Sequence, residues 1–68
     1  VELKNNIRNI RKHLKLSQEE LANKCGVTRQ TINAIENNKY DPSLALAFKL
    51  SIHLNTQIEK LFYYGEEQ

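Results

Sequence analysis

Ser17 and Thr28 both read as helix starts, eleven residues apart, with Gly26 between them. Glu20 follows Ser17 by three residues, which makes a capping box in which each side chain satisfies an orphan amide at the other's position. Leu16 and Leu21 flank the cap at the spacing of a hydrophobic staple. The first helix of the pair buries Leu21, Ala22 and Cys25 and stops at Gly26, the residue best able to take a left-handed cap. Thr28 then caps the next helix, with Val27 and Ile32 at staple positions and Ile32 and Ile35 facing inward. That helix ends near Asn37-Asn38, where Asn tolerates positive φ. Ala22 is the small residue that lets the two helices cross closely.

Two short helices meeting at a glycine turn form a helix-turn-helix, here over about 18–37. The remaining periodicity is helical as well. Leu3, Ile7, Ile10 and Leu14 recur at spacings of 4, 3 and 4, which places them on one helix face. Tyr40-Asp41-Pro42 breaks the chain, and Ser43 caps a fourth helix carrying Leu44, Ala47, Phe48, Leu50, Ile52 and Leu54. That apolar set is too broad for one stripe, so this helix is expected to be the most buried. A second capping box, Thr56 with Glu59, opens a short fifth helix with Ile58, Leu61 and Phe62. The expected fold is all-α, with five helices and short connections. A small antiparallel pairing of the N- and C-terminal segments, Leu3 against Tyr63-Tyr64, can extend it.

Sixty-eight residues fit one domain, 1–68, and bury only roughly 60% of the unfolded surface. A deep substrate cavity would consume core the fold cannot spare, so the chain is not expected to be an enzyme. No apolar run nears the roughly 18 residues of a spanning helix, and with charges and amides from Glu2 to Arg8 no signal-peptide pattern is expected at the start. One cysteine makes no internal disulfide. A soluble cytoplasmic domain without membrane association is expected, and with no methionine in the sequence Val1 is expected to be a trimmed or alternatively initiated start. Residues 1–40 carry eight Lys and Arg against four acids, and residues 41–68 carry two against four. Such asymmetry suits a basic face turned to a polyanion.

With Ile32 and Ile35 inside, about 100° per residue turns Gln30, Asn33, Ala34 and Asn37 outward, with Arg29 and Thr31 on the flanks. A merely solvated helix favours Glu and Lys. Here the donors and acceptors match base edges: Arg pairs with guanine O6/N7, Gln or Asn with adenine N6/N7, and Ala or the Thr methyl with the thymine methyl. Phosphate anchors flank this helix at Gln18, Asn37, Lys39 and Tyr40.

The stretch SQEELANKCGVTRQTINAIENNKYDPSL resembles the Cro/cI-type, or XRE, helix-turn-helix transcriptional regulators, above all their small stand-alone bacterial members. The likeness runs from about Asn6 to Phe62 and rests on Gln18 opening the second helix, the RQTIN run and the ENNKYDPSL exit. It implies a five-helix, lambda-repressor-like domain that binds double-stranded operator DNA as a homodimer, with the third helix in the major groove. Base reading then falls to Thr28, Arg29, Gln30, Thr31, Asn33 and Ala34, and phosphate contact to Gln18, Asn37, Lys39 and Tyr40. The resemblance also implies a structural ion pair of Arg11 with Glu36. Asn38 stands where many members have glycine, and Gln57 where proline or an acid is common.

One short helix in one groove gives too little contact for specific binding, so an inverted-repeat operator and a homodimer are expected. The candidate dimerisation segment is about 56–64, with Ile58, Phe62 and Tyr64 at the interface. The competing use of Phe62, Tyr63 and Tyr64 is to seal the monomer core. The alternative function is an antitoxin-like protein-interaction module with autoregulatory DNA binding, in which that aromatic segment masks a partner. The acidic end Glu66-Glu67-Gln68 reads as a solvated tail. His13 and Ser17 have no orienting acid, and Cys25, His13 and His53 lack metal-ligand spacing, so neither catalysis, a metal nor another cofactor is expected. No small-molecule effector site is evident.

Overall fold

A computed structural model describes residues 2–65; Val1 and the expected Glu66-Glu67-Gln68 tail lie outside the described residues. The chain runs β1 (Glu2–Asn5), α1 (Ile7–His13), α2 (Gln18–Cys25), α3 (Arg29–Glu36), α4 (Leu44–His53), α5 (Ile58–Leu61) and β2 (Phe62–Gly65). Five helices enclose one apolar cluster of Ile7, Leu21, Ala22, Cys25, Ile32, Ile35, Leu46, Leu50, Leu54 and Leu61. The two strands pair antiparallel, Leu3 opposite Tyr64 and Asn5 opposite Phe62, so the terminal pairing forms as expected.

Three expectations need correction. Leu3 is in β1, not on the first helix, because that helix begins only at Ile7, where Asn5 Oδ1 accepts the Ile7 N–H at 3.1 Å. The ladder also continues past the strand, through Asn6 N–H donating to the Leu61 carbonyl at 2.9 Å. Leu14, at the other end of the proposed stripe, lies beyond the last turn and is 45% exposed. In α4 the broad apolar set is really two stripes. Leu46, Ala47, Leu50 and the C-cap Leu54 face the core, while Leu44, Phe48 and Ile52 are 72%, 52% and 70% exposed.

The third correction concerns Thr56 and Glu59, which form no capping box. Gln57 precedes α5 without any side-chain cap, and Thr56 Oγ1 donates to the Leu54 carbonyl at 3.0 Å instead. Phe62 accordingly leaves the helix and opens β2. The other start signals behave as expected. Ser17 and Glu20 exchange their two bonds at 2.8 and 2.9 Å, and Thr28 and Ser43 accept from Thr31 and Leu46.

The first four helices end alike. Lys15, Gly26, Asn38 and Asn55 take φ of 62°, 72°, 60° and 53°, and the following residue's N–H returns to a carbonyl five residues back. The pairs are Leu16 to Arg11, Val27 to Ala22, Lys39 to Ala34 and Thr56 to Ser51, all near 3.0 Å. This is the Schellman closure, which favours Gly and then Asn at the left-handed position. Lys15 is the residue least suited to it, since a side chain there crowds the next carbonyl.

Arg11 fixes how α3 is held against the rest. Its Nε donates to Glu36 Oε2 at 2.7 Å, its Nη2 to Glu36 Oε1 at 3.2 Å, and its Nη1 to the Leu16 carbonyl at 2.9 Å. Both residues are buried, and the Glu36 side chain is fully so. Burial pushes the Glu36 carboxyl up. Hydrogen bonds from Arg11 and Gln18, the Arg11 charge and the Arg8 hydrogen bond outweigh that and hold it below the ordinary range. A lowered folded pKa means the native state binds fewer protons than the unfolded chain. The stability from ionised Glu36 is therefore complete above about pH 4.3 and is lost as pH falls through the folded pKa.

Glu36→Gln leaves Arg11 buried without a charge partner. It is expected to lower stability in urea at pH 7 by about 3–5 kcal/mol, and to flatten the acid limb below about pH 4 relative to wild type. An unchanged acid limb would remove Glu36 from that role. Replacing both partners, Arg11→Met with Glu36→Leu, is expected to recover most of the loss. Separately, Lys15→Gly is expected to raise stability by about 0.5–1 kcal/mol, the relieved crowding exceeding the entropic cost of glycine; a lower urea midpoint would contradict this.

Candidate nucleic-acid interface

The phase of α3 is set by Ile32 and Ile35, both fully buried, and by Glu36 beside them. The opposite side carries Arg29, Gln30, Asn33 and Asn37, all exposed, with Thr31 and Ala34 half-buried at its margins. Among the described residues, the Arg29 and Gln30 side chains have no hydrogen-bond partner, so their donors are unspent. Thr28 is exposed, but its hydroxyl serves the cap. Its Oγ1 accepts the Thr31 N–H at 3.3 Å and lies 3.1 Å from Thr31 Oγ1, so one hydroxyl hydrogen of the pair is spent between them. Beyond the left-handed Asn38, Lys39 and Tyr40 are exposed just past the C-terminal end of α3.

The scaffold carboxylate reaches this face through side-chain amides. Gln18 Nε2 donates to Glu36 Oε1 at 3.0 Å and to Asn33 Oδ1 at 3.2 Å. Asn37 Nδ2 donates to the Asn33 carbonyl at 2.8 Å and to Asn33 Oδ1 at 3.2 Å, and its Oδ1 accepts from Arg8 Nη2 at 2.9 Å. The Asn37 main-chain N–H is also used, on the Asn33 carbonyl at 3.1 Å. Every donor of Asn37 is thus engaged inside the protein, which conflicts with the phosphate contact expected of it. Gln18 has spent both side-chain hydrogens too, so only its main-chain N–H at the start of α2 is left for an anion.

Two residues were not anticipated. Arg8 lies one turn before Arg11 on α1 and also reaches Glu36, Nε to Oε1 at 3.4 Å, with its side chain 48% exposed. The three-residue spacing of two arginines, which puts them on one helix face, was the available signal. Asn5 joins β1 to α3 by donating to the Ile35 carbonyl at 2.8 Å, and no local pattern announces that contact.

Away from α3, Ile58 and Phe62 are half-buried and line an open apolar cleft with Leu3, Pro42, Leu44 and Ala47. Tyr64 is 65% exposed. Cys25 is buried in the core, and that burial raises its thiol pKa despite the opposing Lys49 charge, so it is kept protonated. His13 and His53 are exposed at the last turns of α1 and α4. Among the described residues no three His, Cys, Asp or Glu side chains gather as metal ligands, and no helix is long and apolar enough to cross a membrane.

The helix-turn-helix family matches residues 7–61 of this chain. An uncharacterised HTH-type transcriptional regulator of Methanocaldococcus jannaschii is 48% identical over 66 residues, covering 97% of this chain and all of the relative. One from Bacillus subtilis is 42% identical over 65 residues, covering 96% and 98%. Among solved structures, a restriction-modification controller protein of Aeromonas hydrophila aligns with a TM-score of 0.74 at 30% identity, covering 79% of this chain and 82% of that one. A putative DNA-binding protein of Bacteroides fragilis aligns with a TM-score of 0.81 at 26% identity, covering 90% and 98%. With the buried Arg11–Glu36 pair, the glycine turn and the polar outer face of α3 in place, the chain belongs to the helix-turn-helix family of XRE-type transcriptional regulators.

Proposed function

We propose that the protein is a homodimeric, sequence-specific DNA-binding repressor that places α3 in the major groove of each half of an inverted-repeat operator. The observation that carries this reading is the outer face of α3. Among the described residues the donors of Arg29 and Gln30 have no partner there, on a helix whose orientation a buried ion pair fixes. Arg29, Gln30 and Asn33 are the base readers, with Thr28, Thr31 and Ala34 supplying apolar contacts to thymine methyls. Lys39, Tyr40, the main-chain N–H of Gln18 and the exposed Arg8 hold phosphates. Repression follows where the operator overlaps a promoter.

The dimer is proposed to form through the C-terminal segment about 56–64, with Ile58, Phe62 and Tyr64, extended across the cleft onto Leu44, Phe48 and Ile52 of α4. These last three repeat every fourth residue and make an exposed apolar ridge about 12 Å long. Half-sites bound by such a pair lie about one DNA turn apart, roughly 34 Å. The antitoxin-like alternative draws on the same exposed face and assigns it to another protein.

Selection from random duplexes at about 150 mM salt is expected to return an inverted repeat with half-sites about 10 base pairs apart. Arg29→Ala and Gln30→Ala are each expected to weaken that operator by about 1–3 kcal/mol and to relax one base pair per half-site. Lys39→Ala is expected to weaken all sequences alike and to reduce the salt slope by about one phosphate. If these variants leave selectivity and salt slope alone, α3 does not read DNA. Phe48→Asp, at an exposed position, is expected to keep the helical spectrum and yield a monomer by sedimentation, with occupancy of the two half-sites no longer coupled. A chain already monomeric before the substitution would favour the partner-protein reading.

A further inference from the structure

Asn33 has two nearly isosteric amide atoms, and its neighbours decide which one faces outward. Two groups beside it have no choice of hydrogen-bond direction. The Glu36 carboxylate only accepts, so Gln18 turns its Nε2 toward it, at 3.0 Å, and the second hydrogen of that nitrogen reaches Asn33 at 3.2 Å. Arg8 only donates, so Asn37 turns its Oδ1 toward Arg8 Nη2, at 2.9 Å. The Asn37 Nδ2 then donates to the Asn33 main-chain carbonyl at 2.8 Å and to the Asn33 side chain at 3.2 Å. Two donors of fixed orientation converge on one atom, and only Oδ1 can accept both. Its two lone pairs are filled, and among the described residues Nδ2 has no partner.

Pairing of Asn with adenine uses both amide atoms, the nitrogen on N7 and the oxygen on N6. Here the oxygen is already spent. We propose that Asn33 reads the groove as a hydrogen-bond donor only, selecting an acceptor edge, guanine O6/N7 or thymine O4, over bidentate adenine. Gln18 and Asn37 are the positioning residues that enforce this choice. The inference rests on the reading of α3 as the base-contacting helix.

The test is operator selection with the full chain and the variants Asn33→Ala and Asn33→Asp, each checked for its helical spectrum. The base pair whose preference disappears in Asn33→Ala is the one Asn33 contacts. Wild type is expected to select guanine or thymine there. In Asn33→Asp the inward oxygen still accepts from Gln18 and Asn37 while the outward atom becomes an acceptor, so preference is expected to shift roughly tenfold toward cytosine, whose N4 donates. Gln18→Leu is expected to admit adenine at that pair and to leave preferences at the other pairs intact, which a general loss of structure would not do. A wild-type preference for adenine that falls about tenfold both on removal of the N6 amino group and on 7-deaza substitution overturns the donor-only assignment while keeping α3 as reader. An Asn33→Ala variant that selects the same operator at every pair overturns the base-reading role of Asn33 itself.

Discussion

A single guanidinium ties three parts of this small chain together. Arg11 belongs to α1, holds the Leu16 carbonyl in the linker before α2, and grips the Glu36 carboxylate at the last turn of α3. A core of ten side chains can hold helices together, but apolar packing is non-directional and tolerates rotation and sliding. The guanidinium fork is directional, and four donor nitrogens on one carboxylate, two from Arg11 and one each from Arg8 and Gln18, leave α3 little freedom relative to α1 and α2. Burying the pair need not add net stability, since desolvation offsets the Coulomb gain. Its contribution is to the orientation of α3.

The same carboxylate organises the surface. An acceptor-only group in the interior forces the polarity of the amide beside it, and that amide forces the polarity of the next. Arg8 acts in the same way on Asn37 from the other side. Hydrogen-bond direction is thereby passed from buried Glu36 to exposed Asn33 without any change of backbone. On the proposed reading of α3, a substitution at Gln18 or Asn37 would bear on recognition without either residue touching a base, and a scan that scores only direct contacts would miss both.

Much of this was legible because its causes are local. Ser17 with Glu20, Thr28 and Ser43 cap their helices, Gly26 and Asn38 end theirs, and each of those signals spans only a few residues. The outward face of α3 followed from the phase that Ile32 and Ile35 impose. Where reading failed, two local solutions competed or a distant partner decided. Thr56 and Glu59 have capping-box spacing, but the left-handed turn at Asn55 takes the Thr56 hydroxyl for the Leu54 carbonyl. Leu3 fits the rhythm of α1 equally well as helix or strand, and the tie is broken by β2, sixty residues away. The Arg11–Glu36 pairing came from family resemblance, whereas the engagement of Gln18 and Asn37 depends on side-chain positions that no spacing rule encodes.

The misjudged face of α4 points to a second requirement of the design. Apolar residues on every side of a helix suggest full burial, but a chain of 68 residues builds a small core, and among the described residues Leu46, Leu50 and Leu54 join it while Leu44, Phe48 and Ile52 stay exposed. Large contiguous exposed apolar patches mark contact surfaces. The basic residues concentrate in the half of the chain that builds α1 to α3, while this ridge and the cleft beside it belong mainly to the half with an acidic balance. One surface is thus suited to a polyanion and the other to apolar cover. Charge repulsion would oppose bringing two basic faces together, so a pairing through α4 and the C-terminal segment leaves both reading helices free. In the proposed dimer, separating the two surfaces would let a minimal chain pair with itself and still present α3 twice.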